Sequence, residues 1–487
     1  MFTAGLCFFF VMAEGAFGPK HDMTEAFAWG QEFQLGYHQH PPFWAWVCGI
    51  WFSVVPRTEW GFALLSALNA GLGLWGAWVL TGDFARGPRR IAGWALLLLT
   101  PFYTVFAYKY NANIIFISLW PWTLHYFVRS LRNRQMGDAI AFGLFAGAAL
   151  MSKYFALILL ATCFLGALRH PARRRYFSSA SPWITTLTVA VVSLPHVIWL
   201  VTNDAPPIQY FASVSGRSWG HAASFVLESF LATIGTNLAV AALILWAKRR
   251  DRTGTAPEPP QPEPGVLPIL AFTPLFLALG AALAFRVTLK PEMLYGIFPL
   301  VPMAGIELAR LRDMDWLHRI SVRAAIVVTA GTLLLSPGLA VQRVFFAQPK
   351  PIAPNQEIAR EATRIWRERT GTPLAIVGGS AWYDNAIAFF SPDQPHALPF
   401  LDYAQGQWVT PALIARLGIL SVCTRDDQPC LDATAQFATA ASSRVEVTVS
   451  HVVWGHVSPP VSFILTIVPP KRSGSARAAA IIRGAIG

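Results

Sequence analysis

Side chains able to do chemistry concentrate early in the chain, in GPKHDMTEAFAWGQEFQLGYHQHPPFWAW, residues 18–46. Asp22 and Glu25 are three apart, so on a helix they share one face. Ala26, Trp29 and Phe33 space as an apolar face. The stretch therefore describes an amphipathic helix at a membrane interface, carrying two carboxylates. Such carboxylates can move a proton, or they can be a solvated polar face; for Glu25 and Glu32 the solvated face is the simpler expectation. His38 and His40, with Asp22 nearby in sequence, could bind a divalent metal, although His-x-His spacing alone is a poor ligand signature. Lys153, in Ser152-Lys153-Tyr154, and Lys290, just before Pro291, are isolated cations beside long apolar runs. A charge at the membrane edge is costly, which makes each a functional candidate by default.

These residues need elements to hold them, and composition says which kind. Of 487 residues 54% are hydrophobic and only 13% charged, against about 25% charged in soluble domains. That excludes both an ordinary soluble enzyme and a disordered chain. The 19 Trp and 34 Phe suit membrane interfaces. The net charge of +12 is split among short loops between apolar runs, which disfavours a nucleic-acid partner.

Apolar runs near the length of a bilayer crossing lie at 1–18, 60–80, 91–108, 112–128, 182–202, 221–247, 266–286, 292–309 and 322–342. No Lys or Arg precedes the first, which argues against a signal peptide; Glu14 inside it leaves the natural start open. Residues 139–168 lie between Arg129/Arg132/Arg134 and Arg169/Arg173/Arg174/Arg175. They predict two short helices or a re-entrant hairpin with its tip at Lys153. Counting them as two predicts about eleven spans. Arg86/Arg89/Arg90, Lys248/Arg249/Arg250/Arg252 and Arg310/Arg312/Arg319/Arg323 fall on the same side as those two clusters. Loops rich in Lys and Arg mark the cytoplasmic side. The loop 19–59 and everything after about 343 are then expected outside the cytoplasm. The apolar, aromatic 43–55 is short for a span and reads as an interfacial helix.

The expected organisation is a transmembrane domain over 1–342, an external α/β domain over 343–470 and a tail over 471–487. The proline-rich 253–265 is a linker. In the external domain Ile358, Ala362, Ile365 and Trp366 mark a helix face. Strands are expected at 374–377, 419–423, 445–449 and 462–468, with helices at 382–390 and 411–417. Gly378-Gly379-Ser380 reads as a tight turn before it reads as a phosphate loop. Cys423 and Cys430 are placed to form a local disulfide if their compartment is oxidising; two free thiols are the alternative. Cys7, Cys48 and Cys163 read as packing residues.

The ordered pattern resembles the GT-C membrane glycosyltransferases, in the family of the protein O-mannosyltransferases and the lipid A aminoarabinose transferase (glycosyltransferase family 39). The matching features are a first span, Asp22 opening an interfacial helix, His40-Pro41-Pro42, and the amphipathic FWAWVCGIWF. NANIIFISLWPW (111–122), GLFAGAALMSKYF (143–155), PHVIWL (195–200) and YGIFPLVP (295–302) follow in order. The resemblance covers most of 1–310. It departs where many members carry an acid, here Gln39 and Asn111-Ala112-Asn113, which weakens any metal site built on those positions.

The resemblance implies a polytopic α-helical GT-C fold in a bacterial inner membrane. It implies transfer of a sugar from a polyprenyl phosphate to an extracytoplasmic acceptor (glycolipid, polysaccharide or protein), with inversion. Membrane lipid is the surrounding partner, and a divalent metal stays open as cofactor. Within that scheme Asp22 is the expected base with Glu25 in support. His40, Lys153 and Lys290 are expected at the departing phosphate, with Lys109 and Arg217 as weaker candidates. Each has a plainer reading: a loop hydrogen bond for His40, snorkelling for Lys153, an anchor before Pro291 for Lys290. The rival functions are a lipid-sugar flippase, which would tend to show repeated halves, and a non-catalytic membrane scaffold.

Overall fold

The structure is a computed structural model describing residues 2–251, 265–346, 352–380 and 383–471. Most of the expected linker and nearly all of the expected tail lie outside the described residues. The chain opens with α1 (Phe2–Glu14), α2 (His21–Gly30), α3 (Phe43–Val54), α4 (Glu59–Phe84) and α5 (Gly87–Leu97). Then come α6 (Phe116–Asn133), α7 (Met136–Leu150), α8 (Ala156–Arg169), α9 (Arg173–Phe177), α10 (Ser181–Thr202) and α11 (Pro206–Val214). Next are α12 (Trp219–Arg250), α13 (Val266–Phe285), α14 (Val301–Leu308) and α15 (Met314–Phe345). The last part is α16 (Asn355–Thr370), β1 (Ile376–Gly379), α17 (Tyr383–Phe390), β2 (His396–Pro399), α18 (Pro411–Leu417), β3 (Ile419–Thr424) and α19 (Gln428–Ala435). It closes with β4 (Ser443–Val449), β5 (Val452–Val453), β6 (His456–Val457) and β7 (Val461–Val468).

The chain forms two compact units. The first comprises Met1–Gly15, Leu35–Trp51 and Glu59–Ala340. It is helical, and its long helices are apolar all round, as expected of helices surrounded by lipid. Among the described residues five helices, α4, α10, α12, α13 and α15, are long and apolar enough to cross a membrane, or up to seven spans with two bent pairs counted. This is a multi-pass membrane protein. The expected count of about eleven, which included two short helices, is not confirmed by length and composition among the described residues. The 91–108 run bends by 71° between α5 and Pro101–Tyr108. The 292–309 run is a 3-10 stretch, Pro291–Ile297, followed by the short α14. The 139–168 run is two short helices, α7 and α8, broken around Lys153. Proline explains the first two breaks: Pro101, Pro291 and Pro302 each sit at a helix start, where the missing N–H costs nothing.

The second unit comprises Ala16–Gln34, Phe52–Thr58 and the chain from Val341. Its sheet runs β2-β1-β3-β7-β4, parallel at β2-β1-β3 and antiparallel at β3-β7-β4. Ile358, Ala362, Ile365 and Trp366 are all buried, packed with Leu420, Val422, Phe463, Leu465 and Ile467. The α16 face expected from spacing is therefore its core face. β4 alternates between intermediate and exposed residues along its length, as an edge strand does. Gly378 and Gly379 end β1 rather than form a phosphate loop. Gly379 has φ +136, and a Cβ there would run into the Val422 carbonyl of the neighbouring strand. The Ser380 N–H already donates to the same carbonyl at 3.2 Å. Cys423 and Cys430 form a disulfide across Cα atoms 5.7 Å apart.

Candidate functional site

In the first unit the loop before α3 and the α7–α8 break are fastened together. The Phe43 N–H donates to the Met151 carbonyl at 2.8 Å. Through this bond the His40-Pro41-Pro42 turn is tied to the break that carries Lys153. The Tyr110 hydroxyl donates to the Trp44 carbonyl at 2.9 Å, which holds the start of α3 from the other side. The His40 ring stands edge-on to Trp44, centroids 5.9 Å apart. His38 stands edge-on to Tyr210 at 5.5 Å.

Lys153 Nζ donates to Asn113 Oδ1 at 2.6 Å. Asn113 is held by its surroundings. Asn111 Oδ1 accepts from the Asn113 and Ile114 N–H groups, both at 2.9 Å, an Asx turn that caps the approach to α6. Asn69 of α4 donates to the Ile114 carbonyl at 2.8 Å and accepts from Ser118 Oγ at 2.6 Å. The Lys153 ammonium thus donates to a neutral amide on a loop held by its own hydrogen bonds, which orients it.

The residue after Lys153 belongs to a second chain of bonds that sequence reasoning missed. His196 Nδ1 lies 2.7 Å from the Leu35 carbonyl, and Nε2 lies 2.7 Å from the Tyr154 hydroxyl. A carbonyl only accepts, so Nδ1 carries the proton; in a neutral ring Nε2 then accepts from the tyrosine O–H. Trp199 stacks on His196 at 5.7 Å and lies so close over Gly36 that a Cβ there would run into its indole. The PHVIWL motif was the available signal: Pro195 inside α10 with a histidine beside it is a costly choice for a span.

Lys290 stands apart, exposed at the N-cap of the 3-10 stretch. Two residues on, Glu292 lies 3.9 Å from Lys109 Nζ. Arg217 is exposed and bonds through its backbone N–H to the Arg286 carbonyl.

Asp22 and Glu25 lie in the second unit on α2, both half-buried. Asp22 is in the first turn, where the positive end of the helix dipole favours a carboxylate. α17 packs on α2, with Phe27, Phe52 and Phe389 in mutual edge contact at 5.2–5.8 Å. Arg57 Nη1 donates to the Phe389 and Ser391 carbonyls at 3.0 and 3.1 Å. Glu32 is not the solvated group expected: its side chain is 6% exposed and pairs with His396 Nδ1 at 2.8 Å. That carboxylate raises the His396 pKa. Asp384, on α17, is fully buried and its carboxyl is held well above the usual range, first by burial and then by the charge of Glu25. Glu25 therefore faces a protein interior. Among the described residues no three His, Cys, Asp or Glu side chains gather to hold a metal ion.

Residues 39–199 match the family described as Dolichyl-phosphate-mannose-protein mannosyltransferase. The matched segment contains His40, Asn113, Lys153, Tyr154 and His196. The chain is similar to ArnT from Cupriavidus metallidurans, whose structure bound to undecaprenyl phosphate superposes with TM-score 0.59 at 15% identity, over 95% of this chain and 96% of that one. The apo state of the same protein gives 0.60 at 14% identity over the same shares. AglB from Archaeoglobus fulgidus aligns at TM-score 0.42 and 12% identity over 86% of this chain and 69% of its own. No curated protein sequence matches the chain. The protein has the fold of ArnT.

Proposed function

We propose that the protein is a glycosyltransferase that moves a sugar from a polyprenyl-phosphate donor to an acceptor hydroxyl outside the cytoplasm. The observation that carries this reading is the Lys153–Asn113 contact at 2.6 Å, an oriented cation within the segment that matches a mannosyltransferase family. The ArnT structure bound to undecaprenyl phosphate supports the class of lipid carrier.

In this reading the acceptor oxygen attacks the anomeric carbon. The bond from that carbon to the phosphate oxygen breaks, and the phosphate leaves with the electron pair. Asp22 takes the acceptor proton, a step worth about 10²–10⁴ in rate. Lys153, with His40 and more weakly Lys290, stabilises the charge that grows on the leaving phosphate. One direct displacement inverts the anomeric centre. The 343–470 segment and the α2 region lie on the periplasmic side of an inner membrane, opposite the arginine-rich loops.

The test is donor turnover by purified protein in lipid vesicles, given a polyprenyl-phosphate sugar and a mixture of cell-envelope acceptors. Release of free polyprenyl phosphate with appearance of the sugar on an acceptor is expected. Movement of the intact donor across the bilayer without cleavage would replace the transferase with a flippase.

A further inference from the structure

A cleft of about 470 Å³ opens along α6–α10 in the first unit, within the roughly 300–1,000 Å³ range of ligand sites. Its lining is almost wholly apolar, with Phe142, Ala146, Cys163 and Ala190 among its walls. Tyr176 and Phe177, the last two residues of α9, are part of that lining. The first three residues of that same short helix are Arg173, Arg174 and Arg175, all exposed.

On the other basic loops Arg89 pairs with Glu307 at 2.7 Å and Arg129 pairs with Asp138 at 2.8 Å. Among the described residues Arg173, Arg174 and Arg175 pair with no carboxylate; Arg173 reaches only the Leu168 carbonyl, at 3.4 Å. One five-residue helix thus carries three cations without a carboxylate partner and two aromatic residues of the cleft wall. Its complement is an amphiphile with a negative head and a hydrocarbon tail.

We propose that this cleft binds an anionic glycerophospholipid of the bilayer, with an acyl chain along α8 and α10 and the phosphate against Arg173–Arg175. A zwitterionic headgroup gains little from three guanidinium groups, whereas each basic residue at an anionic lipid surface strengthens binding severalfold. The inference does not depend on the transferase reading. The K/R asymmetry sets these arginines opposite the face assigned to the sugar donor.

Native mass spectrometry of the full chain in neutral detergent tests the site, with phosphatidylglycerol and phosphatidylcholine titrated separately. Wild type is expected to retain phosphatidylglycerol at least about tenfold more tightly. Replacing Arg173, Arg174 and Arg175 together by Gln, which keeps helix propensity, removes that preference. Single Arg174→Gln, a milder change, reduces it severalfold. Ala190→Trp, at an exposed position lining the cleft, weakens both lipids. Equal retention of the two lipids by wild type, or an unchanged preference in a monodisperse triple variant, overturns the proposal. Undecaprenyl phosphate displacing phosphatidylglycerol at equimolar concentration also overturns it, by assigning the cleft to the donor.

Discussion

Lys153 Nζ and Asn113 Oδ1 lie 2.6 Å apart, so the cation in the α7–α8 break rests on a neutral amide where the resembling family often carries an acid. An aspartate there would add an internal countercharge to the ammonium; asparagine orients it through a neutral contact. Lys153→Ala is therefore expected to weaken polyprenyl-phosphate binding by about 1.5–3 kcal/mol, the usual worth of a charge-assisted contact. Asn113→Asp should weaken it in the same direction with the lysine still present. Donor affinity by native mass spectrometry reads both. Normal affinity in Asn113→Asp would show that the phosphate does not use this ammonium.

Bonds around His196 predict a structural effect. His196→Ala leaves the Leu35 carbonyl and the Tyr154 hydroxyl without a ring partner, each costing up to about 1–3 kcal/mol where water does not replace it. A lowered Tm is expected. Tyr154→Phe removes only one of the two bonds and should cost less. If the two variants melt alike, the Leu35 bond contributes nothing.

Topology has an independent readout. The α19 segment is tied to β3 by Cys423–Cys430, a bond that persists in an oxidising compartment. A reporter active only in the cytoplasm, fused after residue 470, should be silent. Thiol mass spectrometry on protein isolated under non-reducing conditions should find these two cysteines bonded. A bright reporter together with free thiols would invert the orientation and move the proposed site to the other face.

The Glu32–His396 pair predicts a pH dependence. Glu32 raises the His396 pKa. Protonated histidine is thus favoured more by the folded state than by the unfolded chain, where its pKa is about 6.5. The stabilisation is full below about that value and is lost as pH rises through the raised folded pKa. Asp384, also raised, loses stability with rising pH too, but from the acidic carboxylate range upward. Subtracting the melting profile of His396→Gln from wild type isolates the histidine. The difference should shrink between pH 6.5 and alkaline pH; a flat difference would mean the pair is not ionic.

Much of this was legible in the sequence, and the exceptions share a cause. The α16 face, strands β3, β4 and β7, and the break at Lys153 follow from local periodicity and flanking charge. β2, His396–Pro399, was missed because four residues ending in proline carry no alternation to read. Prolines break apolar runs that hydropathy reads as continuous, since hydropathy does not see the backbone. Asp22, His40 and Lys153 stood out as charges beside apolar runs. Asn113, His196 and Glu32 did not, because their roles rest on partners 40, 161 and 364 positions away, and a single sequence does not pair them.

Asp22 is where the proposed chemistry is most exposed to failure. It sits in the first turn of α2, at the positive end of the helix dipole. Glu25 lies one turn on, and its charge acts on the buried Asp384, so its surroundings are those of a structural group. Asp22→Asn preserves size and most hydrogen bonding but cannot take the acceptor proton. It should lower transfer by about 10²–10⁴ while leaving donor binding and Tm near wild type. Glu25→Gln removes the repulsion on Asp384; it should leave transfer within about tenfold of wild type and leave Tm unchanged or raised. Transfer from a polyprenyl-phosphate sugar, measured on both variants in vesicles, separates the outcomes. A dead Glu25→Gln beside an active Asp22→Asn would shift the base by one helical turn. Full activity in both would remove general-base catalysis from α2 altogether.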